Sequence, residues 1–193
     1  MNFLEEKILS DGNVKQGNIL KIGNFLNHQI DIAIIRQIAQ ELKRRFCDVT
    51  INKVLTIEAG GIAIAAMLGD VYNVPVVFAK KEETANSTDE KYMSQAYSFT
   101  HKKKNNVFVS KPYLRPTDQV LIVDDFLAEG QAVHALIDLV HQAGGKVAGV
   151  GIAVEKGQLQ GGSILREEGY RLESIAIIDE MDWETQTIKF REQ

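Results

Sequence analysis

Cysteine is almost missing from this chain: Cys47 stands alone among 193 residues. No internal disulfide can form, so the fold must rest on packing, and a reducing compartment such as the cytosol suits it. Histidine is scarce as well. None of His28, His101, His134 and His141 has metal-ligand spacing to the cysteine or to an acid. His134 and His141 fall seven apart on one helical pattern and read as a surface face. With only three prolines and no Gly-rich stretch, no linker divides the chain. No apolar run approaches the roughly 18 residues of a membrane span, so no membrane partner is expected. The opening MNFLEEKILSDG carries acids inside an amphipathic pattern, unlike a secretory signal. Charge of one sign is also lacking. The 22 basic and 26 acidic residues leave a net −4, so nothing draws the chain toward nucleic acid. Residues 82–91 (EETANSTDEK) lack any large apolar side chain, which predicts a mobile loop outside the core.

What remains is an ordinary globular composition, 45% hydrophobic and 25% charged. Its length suits one domain over 1–193. A short helix is predicted over residues 2–9, and the glycines at 12, 17 and 23 make 12–30 irregular. Asp31 is a good N-cap for a helix whose apolar positions are Ile35, Ile38, Ala39, Leu42 and Phe46. Strands are predicted at 53–57, 76–79, 92–99, 107–110, 119–123, 146–154, 171–178 and 186–191. Helices fall at 62–72, after Gly130 and at 161–168. Alternating strands and helices imply an α/β fold with a mostly parallel sheet covered on both faces.

The most telling stretch is QVLIVDDFLAEGQA at 119–132. Four apolar residues read as a buried strand that ends in Asp124 and Asp125. A turn, Gly130 and a helical pattern follow. Two acids and free backbone N–H groups thus sit at the carboxyl end of a strand, where open α/β sheets bind ligands. The acids can hold hydroxyls or a metal. The small-residue turn Ala128-Glu129-Gly130-Gln131-Ala132, with the helix start behind it, can hold a phosphate. The bland alternative is a strand end facing water and a plain turn. Glu58-Ala59-Gly60-Gly61 also links a strand to a helix and offers amides to an anion, or is an ordinary turn. Lys80 and Lys81 follow another strand, as basic ligands or as solvated lysines. Lys156 ends a strand, as a solvent-facing lysine or as a donor-only side chain for a ligand that presents an oxygen acceptor. In the apolar but irregular 17–29, Leu20 is a core residue or packs on a flat ligand. Asn27 is a turn residue or supplies an amide. Phe126 packs on a ligand or in the core, and Trp183 in an acidic tail reads as packing or an interface.

The 119–132 stretch resembles the ribose-phosphate signature of the type I phosphoribosyltransferases. FLNHQID at 25–31, IEAGGIA at 57–63, VVFAKK at 76–81, YSFT at 97–100 and VEK at 154–156 extend the likeness to the xanthine-using branch of that purine family. The resemblance implies the type I fold with a small hood from about 12–30 and the region after 155, and a flexible loop at about 82–106. It implies that Asp124 and Asp125 contact the ribose of phosphoribosyl pyrophosphate (PRPP), and that 128–132 cradle its 5-phosphate. Ala59, Gly60, Lys80 and Lys81 would meet the diphosphate, while Leu20, Asn27 and Lys156 would contact xanthine. Ser94, Tyr97, Ser98, Phe99 and Thr100 fall where the family's catalytic loop lies. Mg²⁺ would arrive with PRPP, held mainly by it, and a cytoplasmic homodimer is implied. The chain departs from the pattern at Glu129 and Ala132, where the family carries hydroxyls. Glu129 puts an acid beside an anion, so the backbone amides must do most of the phosphate work. Rival readings are the same transfer to guanine, hypoxanthine or adenine, and a non-catalytic PRPP-binding regulator. The regulator should bring a DNA-binding module, and no basic recognition helix is legible.

Overall fold

The computed structural model describes residues 1–81, 90–98 and 103–193. Most of the predicted mobile loop, with Phe99, Thr100 and His101, lies outside the described residues.

The chain opens with α1 (Phe3–Asp11), which starts at Asn2 through a reciprocal capping box with Glu5. A hairpin follows, β1 (Asn13–Lys15) and β2 (Ile19–Lys21), inside the stretch predicted to be irregular. Each strand has three residues and buries only its middle one, Val14 or Leu20, too little to show as alternation. α2 (Ile32–Arg45) begins at Asp31, whose carboxylate accepts from the Ala33 and Ile34 N–H groups. Lys43, Arg44 and Arg45 fill its last turn, as the helix dipole favours. Next come β3 (Lys53–Ile57), α3 (Ile62–Tyr72) and β4 (Val76–Ala79).

β5 (Lys91–Ser98) and β6 (Lys103–Ser110) pair as an antiparallel hairpin. β6 starts four residues earlier than its apolar pattern predicts, because pairing with β5 carries the strand through polar positions. β7 spans Gln119–Leu127, so Asp124 and Asp125 lie within the strand and the turn comes after Leu127. This corrects the expectation that the strand ends at the acids. α4 (Gln131–Gln142), β8 (Lys146–Lys156), α5 (Gly161–Glu167), β9 (Leu172–Asp182) and β10 (Thr187–Phe190) complete the chain.

The main sheet runs β10-β9-β8-β7-β3-β4, parallel throughout except for β10. Two apolar layers cover it. α1, α2 and α3 pack with Leu121 and Val123 on one face, and α4 and α5 with Val120 and Ile122 on the other. Strand alternation in β7 therefore feeds both layers. Small residues let the layers close. A side chain at Gly149 would strike the Phe46 ring, and one at Gly151 the Leu42 side chain, which brings α2 tight onto β8.

After β3 the chain crosses toward β4, and after β7 it crosses the other way toward β8. The carboxyl ends of β3 and β7 thus flank a topological switch point, the crevice that serves as a ligand site in open α/β sheets.

Candidate active site

Asp124 is buried near the carboxyl end of β7, and Asp125 beside it is half-buried. Burial, then the neighbouring Asp125 charge, holds the Asp124 carboxyl well above the usual carboxylate range. An Asp124 oxygen accepts from the Asp125 N–H at 2.9 Å, and an Asp125 oxygen from the Phe126 N–H at 3.0 Å. The Lys81 charge acts on Asp124 in the opposite, lowering direction.

The β3–α3 turn closes on this pair. A Cβ at Gly60 would run into the Asp125 carboxylate. One at Gly61 would meet Thr56 Oγ1 and, at 2.9 Å, Asp124 Oδ1. Only glycine permits that approach. The Glu58–Ala59 peptide is cis. Glu58 accepts from the Lys81 N–H at 2.6 Å, joining the turn to the end of β4. Lys80 is exposed, and its backbone bridges to Phe108 of β6. The structure thus brings Gly60 and Lys81 to the acid pair, with Ala59 one residue before Gly60 in the turn.

Beyond Leu127 the chain turns through Gly130, which has φ 81° and N-caps α4 without a side-chain bond. Among the described residues, no acceptor takes the N–H groups of Glu129, Gly130, Gln131, Ala132 or Val133. Five donors beside a helix start form an anion cradle. α5 packs directly beneath it. The Gly161 N–H donates to Ala128 O at 3.1 Å, and a Cβ at Gly161 would collide with Ala128 O and Gly130 N.

Asp11, Leu20, Asn27, His28 and Phe126 help to line an open cleft of about 710 Å³. Leu20 belongs to the core as well as to this wall. Asn27 is exposed, and its Nδ2 donates to Asp125 Oδ2 at 2.7 Å, tying the cleft to the acid pair. Lys156 Nζ lies 5.9 Å from the Phe126 ring centroid, placing the ammonium at the same wall. Among the described residues, no cluster of three or more His, Cys, Asp or Glu forms a metal cage.

Local pattern missed several neighbours of the site. Thr56 is fully buried with a hydroxyl that has no partner among the described residues, and it faces the Gly61 position. Glu155, 2% exposed, takes two bonds of 2.8 Å from Arg166 and one from Ser174. His134 lies on the partly exposed face of α4 and bonds Gly130 and Glu168. Its one legible signal was the i, i+4 spacing from Gly130. Trp183 is partly exposed.

Comparison with known proteins places this arrangement. A model of the phosphoribosyl transferase domain matches residues 21–190. The chain is 52% identical over 191 residues to a xanthine phosphoribosyltransferase of Lachnoclostridium phytofermentans, covering 99% of this chain and 98% of that relative. It is 50% identical over 192 residues to a xanthine phosphoribosyltransferase of Bifidobacterium adolescentis, covering 99% and 100%. Among solved structures, adenine phosphoribosyl transferase from Trypanosoma brucei superposes with a TM-score of 0.74 at 16% identity, over 91% of this chain and 79% of that one. Adenine phosphoribosyltransferase from Thermoanaerobacter pseudethanolicus gives 0.67 at 22% identity, over 76% and 81%. At these identities the likeness is one of fold. The matches cover the sheet, the acid pair and the anion loop together, and the chain belongs to the phosphoribosyl transferase family, with its type I fold.

Proposed function

We infer that this enzyme transfers the 5-phosphoribosyl group of PRPP to N9 of xanthine, giving xanthosine 5′-monophosphate and diphosphate in purine salvage. One observation carries the reading: β7 alone delivers both acids, the cleft wall Phe126 and the start of the anion loop. Groups for a ribose, a base and a phosphate thereby follow one another along one strand end. The near relatives are named as xanthine phosphoribosyltransferases, which fits this reading.

In this reading Asp124 and Asp125 accept from the ribose hydroxyls, and the amides of 128–132 hold the 5-phosphate. Ala59, Gly60, Lys80 and Lys81 take the diphosphate. Leu20 and Phe126 bracket the purine. Lys156 donates to its 6-oxo group, and Asn27 serves its 2-oxo group. Ribose hydroxyls that bond Asp125 compete with the Asn27 amide, which frees that amide for the base. The bond from C1 to diphosphate stretches first, positive charge grows on the ribose ring, and N9 then bonds to C1. No covalent nucleophile is needed, because positioning and fixed electrostatics lower the barrier. The acid pair suits a hard cation, and Asp124 and Asp125 would hold Mg²⁺ largely through its waters. When bound with PRPP, that ion would neutralise the leaving diphosphate. We propose one functional unit over 1–193, with 12–30 and the region after 155 as a hood. We place it in the cytosol on the strength of the lone thiol. A homodimer would cover exposed apolar side chains such as Phe78 and Tyr113.

The test is diphosphate release from PRPP and Mg²⁺ with xanthine, guanine, hypoxanthine and adenine in competition. Xanthine should show the highest kcat/KM, and a preference for adenine would overturn the Lys156 argument. Lys156→Ala should raise the KM for xanthine roughly tenfold and that for PRPP far less. Tight PRPP binding with no release would favour the regulator instead.

A further inference from the structure

His134 lies in the first turn of α4. Its backbone N–H donates to the Gly130 carbonyl at 2.9 Å, and its ring Nδ1 meets the same oxygen at 2.9 Å. The other ring nitrogen, Nε2, sits 2.9 Å from a Glu168 carboxylate oxygen at the end of α5. Both partners, a carbonyl and a carboxylate, offer only lone pairs. A neutral imidazole carries one N–H and one lone pair, so it satisfies one of them. The imidazolium carries two N–H groups and satisfies both.

Gly130 belongs to the anion cradle. A trans peptide unit is planar, so the Gly130 C=O and the Gln131 N–H point in opposite directions. Fixing that carbonyl therefore fixes one of the cradle's donors. Glu168 in turn ends the helix whose first residue, Gly161, holds Ala128 O from below.

We propose that His134, as an imidazolium bridged to Glu168, is a positioning residue for the 5-phosphate loop and gives PRPP binding a proton dependence of its own. The idea rests on the reading of 128–132 as the 5-phosphate site. The charged groups about the ring are mostly acids. Glu168 faces it from α5, and Glu129 lies in the loop. Asp138 is one turn along α4, where it accepts from Gln142 at 2.9 Å. The nearby cation, Arg166 of α5, is engaged by Glu155 at 2.8 Å. The imidazolium is the form that satisfies both lone-pair partners. When pH rises and the ring loses its proton, one of the two bonds becomes lone pair against lone pair. The carboxylate is the stronger acceptor, so the remaining proton stays on Nε2 and Nδ1 turns its lone pair to the Gly130 oxygen; the Gly130 peptide loosens, and the KM for PRPP climbs.

The experiment is the KM for PRPP at pH values between about 5.5 and 8.5 in wild type, Glu168→Gln and His134→Ala. In Glu168→Gln the amide can donate to the Nε2 lone pair, so a neutral ring keeps both bonds and the bridge survives without the charge. The wild-type KM should rise about fivefold more across the range than that of either variant. The ionisation of PRPP itself is common to all three and cancels in the ratio. His134→Ala should also start from a higher KM at low pH, while kcat and the KM for xanthine change little. Parallel profiles in all three proteins, with PRPP bound and turned over, would overturn the role of His134 alone. Wild type that neither binds nor turns over PRPP at any pH would remove the 5-phosphate reading and the proposal with it.

Discussion

Asp124 is held where its charge is least welcome. Burial and then Asp125 raise its carboxyl above the ordinary range. An acid whose folded value is raised loses stability for the fold as pH climbs from its unfolded value, near 3.9, through the raised one. Above that value the native state carries a buried charge that the unfolded chain would carry in water. Asp124→Asn removes this burden and keeps the oxygen that accepts from the Asp125 N–H. The variant should therefore melt higher than wild type at pH 8, followed by circular dichroism, and the gap should close as pH falls. Its kcat should drop about 10²-fold or more, because an amide is a weaker partner for a ribose hydroxyl, and Asp124→Asn with Asp125→Asn should drop further. A lower melting point at pH 8 would contradict the account of the buried charge, and an unchanged kcat the account of the ribose. Such a trade of stability for activity is expected at a functional residue.

At the scale of elements, the β3–α3 turn shows how two adjacent glycines serve different ends. A Cβ at Gly60 meets the Asp125 carboxylate, a half-buried side chain that can swing aside. Gly60→Ala should then keep nearly wild-type stability yet lose activity, because the swing takes the Asp125 carboxylate away from the ribose hydroxyls it is proposed to bond. A Cβ at Gly61 meets the buried Thr56 and Asp124, which cannot yield. Gly61→Ala should cost about 1–3 kcal/mol of stability as well, read from urea unfolding. Equal stability losses for both variants would mean that Asp125 is not free to move. The glycines, like β3 and β4, were legible in local pattern, because a short apolar run bounded by glycine has few readings. α2 was legible through Asp31 and its helical period. The β1–β2 hairpin was not, since two buried residues make no period. Nor was the end of β7, because carboxylates inside a strand look like a turn until neighbouring strands supply their hydrogen bonds. The link from Asn27 to Asp125 spans 98 positions, and no local pattern can hold such a pairing.

The whole molecule joins distant chain segments around the switch point. Gln186, in the β9–β10 turn, bonds both the N–H and the carbonyl of Val14, which pairs with Leu20 of the cleft wall. Asn2 donates to Ile175 O at 2.8 Å. The deepest link is Glu155, between Arg166 on α5 and Ser174 on β9, one residue before Lys156, the residue proposed to meet the base. Burial pushes the Glu155 carboxyl up, but the Arg166 and Ser174 bonds outweigh it and the net value is lowered. A lowered folded value contributes stability above the unfolded value, near 4.3, and that stability is lost as pH falls through the folded one. Arg166→Met would leave a buried carboxylate without its cation. The Arg166 side chain is 37% exposed, so solvent softens the loss, and we expect the low end of such deletions, about 3 kcal/mol. That is a large share of the roughly 5–15 kcal/mol that holds a domain folded. Glu155→Gln combined with Arg166→Met should recover most of it, since no unpaired charge remains buried. A double-mutant cycle in urea at pH 7 measures both. Repeated at pH 4, the Arg166→Met deficit should shrink as protons neutralise Glu155. A deficit that stays constant from pH 7 to pH 4 would show that Arg166 supports the β8–α5 junction through packing, not through its charge.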